Sequence, residues 1–478
     1  MKVYQQYIDG EFCDALSKEQ FEVYNPYTEQ VIAMAPKGGV EDAQAALDAA
    51  NASQKAWAAK PCAERAVYLK KMAELIRQNR DMLVRTLAEE QAKVIPLAQA
   101  EIDATAEYFD YYAGWARKYE GEVISSDRPT ENILLHRQPI GVVVGICPWN
   151  FPFFVMARKV APAILTGCTI ILKPSSETPN TTFEFAKLVA GIGLPKGVLN
   201  FVAGGGSTLG DRLVRSPLVG LVTLTGSVET GQRIITATAE NITKTSLELG
   251  GKAPAIVCSD ADIDLAVKAI IDSRIIFSGQ VCNCAERVYV EAPIYDEFMD
   301  KLTKGMAAVT YGDPFAEPAP SMSSQINAAQ LDKIDAMVQQ AKADGVDVLV
   351  GGSKADDTPS GHFYKPTLLA GCTQDMEIIR KEIFGPVLPV VKAADFDEAL
   401  DFANDCEYGL TSSIFTNNIT KMMRAINELK FGETYVNREH FEAIQGFHAG
   451  WRKSGIGGAD GKHGLYEYLQ THVSYIQY

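Results

Sequence analysis

The sequence predicts an α/β protein with more than one domain. Apolar runs of strand length, among them GVVVGIC and CTIILK, alternate with stretches of helical periodicity after residue 139, a pattern typical of parallel sheets covered by helices. The 478 residues are too many for a single hydrophobic core, so two or three domains are expected. Apolar and charged residues occur in ordinary globular proportions, which argues against extensive disorder.

The elements follow in a definite order. After a predicted N-terminal hairpin, residues 41–119 carry apolar side chains at helical spacing. Beyond residue 139, strands and helices alternate as in sheets that bind nucleotides at the carboxyl ends of their strands. A second alternating region begins near Pro254 and predicts a second α/β domain. The aromatic, β-prone tail GLYEYLQTHVSYIQY is expected to pair with another strand.

Composition excludes several classes of partner. A net charge of −15 disfavours binding to nucleic acid. The sequence contains no run of about 20 apolar residues, so no membrane span is expected. The start of the chain lacks the apolar core of a signal peptide. Nine cysteines without a framework spacing suit a reducing, cytoplasmic compartment, and no bound metal is expected.

Cys282 is the sharpest chemical signal. It follows Phe277-Ser278-Gly279 near a predicted helix-to-strand transition, where a thiolate is reachable and stabilised by backbone N–H groups. The spacing alone leaves two alternatives open, a buried small side chain or half of a zinc site with Cys284. A reversible Cys282–Cys284 disulfide is a further hypothesis, with simple packing of Cys284 as its alternative.

Two other residues end predicted strands. Glu248, before two glycines, suits a general base in a cavity, and an ion pair with Lys252 is the alternative. Asn150, in the turn PWNFP, suits an oxyanion donor, and capping of the next helix is the alternative. Lys173 and two glycine clusters also follow strands, where they suit ribose or phosphate, although such turns are often only tight connections.

Taken in order, these motifs carry a resemblance. PWNFP, KPSSETP, TGSVETG, ELGGK, FSGQVCNCAER, EIFGPV and RKSGIGG run along the chain as they do in the aldehyde dehydrogenase superfamily. The resemblance implies that Cys282 attacks the aldehyde, that Asn150 and the Cys282 backbone N–H hold the oxyanion, and that Glu248 activates the water that hydrolyses the resulting thioester. A glutamate at this position favours hydrolysis over acyl transfer to coenzyme A.

The resemblance also implies the cofactor site and the architecture. The residues predicted to bind the cofactor, NAD or NADP, are Trp149, Lys173, Ser176, Gly206, Gly210, Gly226, Ser227, Glu382 and Phe384. The aldehyde dehydrogenase fold implies a Rossmann-like cofactor domain (1–118 and 139–248), an α/β catalytic domain (249–455) and a small β oligomerisation element (119–138 and 456–478). A homo-oligomer, dimer or tetramer, is expected.

Within the superfamily the chain resembles bacterial lactaldehyde/glycolaldehyde dehydrogenases, in GQVCNCAERVYV and in the segment from Phe431 to Lys453. The predicted substrate residues are Arg158, Asn283, Glu442 and His448, whose polarity suits a short hydroxyaldehyde. Succinate semialdehyde is the alternative, because Arg158 matches an arginine that binds a carboxylate, although Glu442 opposes that role. For His448 a purely structural role is also open.

One departure concerns the cofactor. Three residues after Lys173, where members that prefer NAD carry glutamate, this chain has Ser176, and a glutamate follows at Glu177. Serine removes the repulsion of a 2′-phosphate, so NADP is an expected cofactor beside NAD. A non-catalytic protein on the same fold is the other function class, and the presence of Cys282, Glu248 and Asn150 opposes it.

Overall fold

The computed structural model describes residues 1–478 as 21 strands and 15 α-helices. The strands are β1 (Lys2–Val3), β2 (Gln6–Ile8), β3 (Glu11–Cys13), β4 (Gln20–Tyr24), β5 (Val31–Pro36), β6 (Glu122–Ser125), β7 (Glu131–Pro139), β8 (Val142–Ile146), β9 (Thr169–Lys173), β10 (Leu199–Phe201), β11 (Val219–Thr225), β12 (Lys244–Glu248), β13 (Ala253–Val257), β14 (Ala285–Glu291), β15 (Asp347–Val350), β16 (Thr367–Ala370), β17 (Val387–Ala393), β18 (Thr411–Phe415), β19 (Glu433–Val436), β20 (Gly455–Ile456) and β21 (Leu469–Gln477). The helices are α1 (Val40–Ala58), α2 (Cys62–Gln78), α3 (Arg80–Gln91), α4 (Ile95–Ala113), α5 (Pro152–Thr166), α6 (Asn180–Val189), α7 (Asp211–Val214), α8 (Val228–Thr238), α9 (Ile263–Ile275), α10 (Tyr295–Ala307), α11 (Ala328–Ala343), α12 (Glu377–Arg380), α13 (Phe396–Asn404), α14 (Ile419–Glu428) and α15 (Gly461–Glu467).

The first large sheet has eight strands in the order β20-β12-β11-β8-β9-β10-β2-β3. Its central strands β12, β11, β8, β9 and β10 are parallel, as predicted from the alternation of strands and helices. Antiparallel strands β20 and β2 extend it on either side. The carboxyl ends of β8, β9, β11 and β12 therefore meet at one edge of the sheet, which is where the predicted chemistry lies.

The second large sheet has seven strands in the order β15-β16-β17-β14-β13-β18-β19, and all its pairs are parallel except β15 with β16. The predicted second α/β region therefore forms a sheet of its own. Cys282 lies in the loop that leads into β14, the middle strand of this sheet. A buried core of 25 apolar residues packs on one face and another of 18 on the other.

The C-terminal tail forms a small antiparallel sheet with the chain around residue 130. Strand β21 pairs with β7 along its whole length, from Leu469 opposite Pro139 to Gln477 opposite Glu131, and β6 covers the other edge of β7. The first part of the tail is helical rather than extended, because Gly461–Glu467 forms α15. The remaining sheet, β1-β5-β4, lies at the N-terminus and was not predicted.

Helix α5 is a buried helix that carries charged side chains of the predicted site. It packs against β9, α2 and α4, and every one of its residues except Phe154 is buried. A helix that is buried all round is normally apolar, yet α5 carries Arg158 and Lys159 in its middle. Buried charges require polar or charged partners, so these two side chains indicate a polar site next to α5. No helix of the protein combines the length and the apolar character needed to cross a bilayer.

Candidate active site

The loop that carries Cys282 is held in an unusual backbone conformation. After α9 the chain turns through Phe277, Ser278 and Gly279 with φ of 44°, 56° and 77°. A Cβ at Gly279 would stand 2.2 Å from the carbonyl oxygen of Gly385, so only glycine fits there. The turn leaves Cys282 half-buried and lining the large cavity between the two main sheets.

Asn150 is tied to the same loop. Its Nδ2 donates to the Gln280 carbonyl oxygen at 2.9 Å, and its Oδ1 accepts from the Phe151 backbone N–H at 3.0 Å. The first N–H groups of helix α5, at Phe153 and Phe154, donate to Glu101 at 3.0 and 3.2 Å and not to Asn150, so the capping role that the sequence left open is wrong. An amide nitrogen carries two hydrogens, and the second one at Asn150 is available to an oxyanion beside Cys282.

Glu248 ends β12 in a buried position. Its carboxylate accepts a hydrogen bond from the Thr225 hydroxyl at 3.2 Å, and the Arg158 Nη1 lies 3.8 Å away. Lys252 instead pairs with Glu286 at 3.0 Å, so the Glu248–Lys252 ion pair that the sequence left open is wrong. Glu248 is thus a buried carboxylate with Arg158 at 3.8 Å and with Lys159 linked to it through the Thr225 hydroxyl.

The four predicted substrate residues form one buried cluster. The Glu442 carboxylate accepts from Arg158 Nη2 and, at 2.6 Å, from Asn283 Nδ2, and it lies 3.9 Å from the His448 ring. The Asn283 amide oxygen is buried without a partner. Burial opposes ionisation of Glu442, but the charges of His448 and Arg158 lower its pKa to about 2. Glu442 therefore stays ionised.

Arg158 has a second carboxylate partner that the sequence did not predict. Asp460 accepts from Arg158 Nε at 3.1 Å and from Nη2 at 2.6 Å, and it also accepts from the Tyr108 hydroxyl at 2.8 Å. Arg158 thus meets three carboxylates, from Asp460, Glu442 and Glu248. Its cationic charge is neutralised within the protein.

His448 is the member of this cluster that meets two carboxylates. Its Nδ1 is 2.6 Å from the Glu433 carboxylate and 3.9 Å from the Glu442 carboxylate. Burial opposes protonation, but Glu442, Cys282 and Glu433 raise the His448 pKa well above its ordinary value. Burial likewise raises the pKa of the Cys282 thiol, and His448 opposes that rise because an imidazolium favours the thiolate.

Cys284 is packed away from the site. Its side chain is buried against Phe277 and Val281, and its thiol donates to the Val281 carbonyl at 3.0 Å. Burial raises the pKa of this thiol to about 12, which leaves it a poor partner for thiol exchange. The packing interpretation of Cys284 fits these observations better than the disulfide hypothesis.

The predicted cofactor residues surround a single cavity of about 1160 Å³. Its lining includes all nine of them, namely Trp149, Lys173, Ser176, Gly206, Gly210, Gly226, Ser227, Glu382 and Phe384. A Cβ at Gly206 would meet nothing within 4 Å, so this turn stays open to a ligand. The N-terminus of α8 borders the cavity as well, where free N–H groups suit a pyrophosphate. A dinucleotide fits this arrangement.

Details of the cavity refine the sequence predictions. The Ser227 hydroxyl caps α8 by accepting from the Thr230 N–H at 3.2 Å, which leaves its backbone N–H to a phosphate. Glu382 accepts from the Gly251 N–H at 2.8 Å, and burial raises its pKa to about 7. Phe384 packs edge-on against Trp149 at 5.4 Å. Glu177 and Asn327 line the same cavity.

Several residues of the site were missed from sequence. Asp460 had one signal, an aspartate between glycines in GGADGKHG, which marks an unusual backbone conformation. Lys159, beside Arg158, donates to the hydroxyls of Thr223 and Thr225 at 3.1 Å. Lys93 donates to the Asn150 carbonyl at 2.7 Å and pairs with buried Glu101. For Lys159 and Lys93 no sequence signal existed.

A half-buried cysteine beside an amide donor, a buried glutamate and a dinucleotide-sized cavity define an NAD(P)-dependent oxidoreductase. The chain belongs to the aldehyde dehydrogenase family, because the model of the "Aldehyde dehydrogenase family" matches residues 12–473. It is 54% identical over 471 residues to lactaldehyde dehydrogenase of Escherichia coli (strain K12), covering 98% of each chain. It is 42% identical to 3,6-anhydro-alpha-L-galactose dehydrogenase of Vibrio sp. (strain EJY3), with both chains fully covered.

Solved structures agree with this assignment. A crystal structure of lactaldehyde dehydrogenase from Escherichia coli superposes with a TM-score of 0.98 at 54% identity, covering 100% of both chains. A structure of 3,6-anhydro-L-galactose dehydrogenase in complex with NAP superposes with a TM-score of 0.97 at 43% identity, covering 99% of this chain and 100% of the other. The predicted α/β aldehyde dehydrogenase fold is confirmed.

Proposed function

We propose that the protein oxidises a short 2-hydroxyaldehyde, such as L-lactaldehyde or glycolaldehyde, to the carboxylic acid with NAD or NADP. The observation that carries this proposal is the buried polar cluster of Asn283, Glu442 and His448 beside Cys282. The Asn283 amide oxygen has no partner, so it suits a hydroxyl that donates a hydrogen bond. The similarity to E. coli lactaldehyde dehydrogenase supports the same substrate class.

In the proposed mechanism, different residues of the site serve different steps of the reaction. The Cys282 thiolate attacks the aldehyde carbon, and the free hydrogen of Asn150 Nδ2 with the Cys282 backbone N–H stabilises the oxyanion of the thiohemiacetal. Bound NAD(P) supplies a hydride acceptor. The resulting Cys282 thioester is attacked by a water that loses its proton to Glu248, which releases the acid and restores the thiol.

Succinate semialdehyde is not favoured by the geometry. A substrate carboxylate needs a cation with free donors, and Arg158 already donates to Asp460 and Glu442. Glu442 would also repel a second carboxylate in the same pocket. The arginine that suggested this alternative in the sequence is therefore an internal partner of acidic residues.

We infer that NADP is accepted as well as NAD. Ser176 lines the cavity at the position where a glutamate would repel a 2′-phosphate. Lys173, Arg215 and Lys333 also line the cavity, and their charges favour a phosphate. Replacing Ser176 by glutamate is expected to lower kcat/KM for NADP⁺ at least tenfold and to leave kcat/KM for NAD⁺ largely unchanged.

The wider organisation is proposed from the same resemblance. The strands of the eight-stranded sheet, of the seven-stranded sheet and of β21-β7-β6 support the division into a cofactor domain (1–118 and 139–248), a catalytic domain (249–455) and an oligomerisation element (119–138 and 456–478). A homo-oligomer, dimer or tetramer, would bury the exposed side chains of that element. Nine free cysteines suit a reducing cytoplasmic compartment.

The deciding experiment is a matrix assay on the purified protein. Cofactor reduction is followed with L-lactaldehyde, glycolaldehyde and succinate semialdehyde, each with NAD⁺ and NADP⁺, with Cys282→Ser as the blank. We expect the hydroxyaldehydes to give the highest kcat/KM. A higher kcat/KM for succinate semialdehyde would contradict the substrate class, and no reduction with any pair would contradict catalysis itself.

A further inference from the structure

Asp460 is held in a backbone conformation that aspartate rarely adopts. Its φ of 73° and ψ of 161° lie in a region that favours glycine, at the residue before α15. An aspartate there commonly caps the helix, but the Asp460 side chain makes no capping bond. The side chain instead points inward, where only 1% of the residue is exposed. Strain that persists in a buried acidic residue calls for a functional explanation.

The inward carboxylate occupies the face of Arg158 that recognises carboxylates. Arginine binds a carboxylate best through two parallel N–H bonds, and Asp460 takes such a pair from Nε and Nη2. Glu442 shares Nη2, and Glu248 lies near Nη1. The Tyr108 hydroxyl also donates to Asp460 Oδ1 at 2.8 Å and helps to fix the orientation of the carboxylate. Arg158 thus has no free pair of donors for a substrate.

We propose that Asp460 is a specificity-determining residue that restricts the site to uncharged hydroxyaldehydes by acting as an internal substitute for a substrate carboxylate on Arg158. This inference rests on the proposed function. It assigns the occupied two-bond face of Arg158 to Asp460, which lies outside the reacting groups and acts in addition to the repulsion by Glu442. Asp460 acts through Arg158 and is therefore a positioning residue.

The test removes the carboxylate in two ways. Asp460→Asn keeps the size of the side chain but loses its charge, and Asp460→Gly also suits the backbone conformation at this position. In both variants we expect kcat/KM for succinate semialdehyde, divided by that for L-lactaldehyde, to rise at least tenfold. The rise should come mainly from a lower KM for the semialdehyde, because the freed Arg158 binds its carboxylate.

Two controls separate specificity from general damage. Asp460→Glu retains a carboxylate for Arg158 and is expected to keep the wild-type ratio. Asp103→Asn removes a similar two-bond pairing, with Arg80 at the protein surface, whose residues take no part in the site. This variant is expected to leave kcat/KM unchanged for both substrates. Cofactor binding, measured by fluorescence, verifies that each variant is folded.

The outcomes are distinguishable from those of the proposed function. An unchanged substrate ratio in folded Asp460→Asn and Asp460→Gly would overturn the inference, even if the wild type oxidises L-lactaldehyde well. A wild type that oxidises neither hydroxyaldehyde would instead contradict the proposed function. A ratio that also rises in Asp460→Glu would overturn the role of the charge.

Discussion

At the scale of single residues, the site separates the first half of the reaction from the second. In the proposed mechanism Cys282 and Asn150 serve the oxidation step, whereas Glu248, at the end of β12, acts only on the thioester. Replacing Glu248 by glutamine should therefore leave a burst of cofactor reduction equal to the enzyme concentration. Steady-state turnover should then fall by about 10²–10⁴-fold, the usual contribution of a general base.

For Glu248→Gln, rapid mixing measures the burst and the steady-state rate of cofactor reduction, and mass spectrometry detects the acyl group on the enzyme. The acyl group should remain on Cys282 as a thioester. Replacing the exposed Glu240 by glutamine is a matched control that should leave the burst and turnover unchanged. Loss of the burst itself in Glu248→Gln would mean that Glu248 also takes part in the oxidation step.

The buried His448 should control the reactivity of Cys282. The thiolate is the species that reacts with iodoacetamide, and the positive charge of His448 opposes the rise that burial causes in the thiol pKa. In His448→Asn the Cys282 pKa should rise further, so alkylation at any pH below that pKa should slow severalfold. The pH profile of alkylation, followed on the Cys282 peptide, should shift to higher pH.

His362, a half-buried histidine in another region, provides the control for this measurement. His362→Asn is expected to leave the pH profile of Cys282 alkylation unchanged. An unchanged profile in His448→Asn as well would show that His448 does not stabilise the thiolate. The profile is informative because a purely structural role of His448 would not shift it in one direction.

At the scale of elements, the turn before Cys282 depends on a glycine. In Gly279→Ala a Cβ would meet the Gly385 backbone at 2.2 Å, and φ of 77° would itself cost about 1–3 kcal/mol of stability. We expect a lower melting temperature and a large loss of kcat, because Cys282 would move relative to Asn150. Gly312→Ala is the control, since no atom lies within 4 Å of its Cβ. A fully active Gly279→Ala would contradict this account of the turn.

The elements were more predictable than their mutual contacts. The strands ending at Ile146, Lys173 and Thr225 could be predicted because each is a mainly apolar run followed by a turn that contains proline or glycine. The pairing of Arg158 with Asp460 could not, because it joins residues 302 positions apart that no local pattern connects. The helical start of the tail was also missed, since its aromatic residues favour strands locally while packing against α5 decides otherwise.

At the scale of the whole molecule, the buried charges join the two main sheets. Glu248 belongs to the first sheet, whereas Glu433 and Glu442 lie at and after the last strand of the second. Arg158 and His448 lie between them. The sequence predicted Glu248, Arg158, Glu442 and His448 as site residues but not Glu433, and the balance of charge among the five arises only when the two sheets come together.

The small sheet β21-β7-β6 should decide the oligomeric state. Both of its outer strands expose apolar side chains, with Tyr475 68% and Val123 76% exposed. Unpaired edges and apolar faces of this kind commonly belong to subunit contacts. Replacing Tyr475 and Val123 together by aspartate should therefore shift the protein toward smaller species in light scattering. The control is Val67→Asp, which places the same charge on an exposed apolar residue of α2. An unchanged mass in the double variant would exclude this sheet from the interface, whereas dissociation with cofactor binding retained would show that the cofactor site forms within each chain.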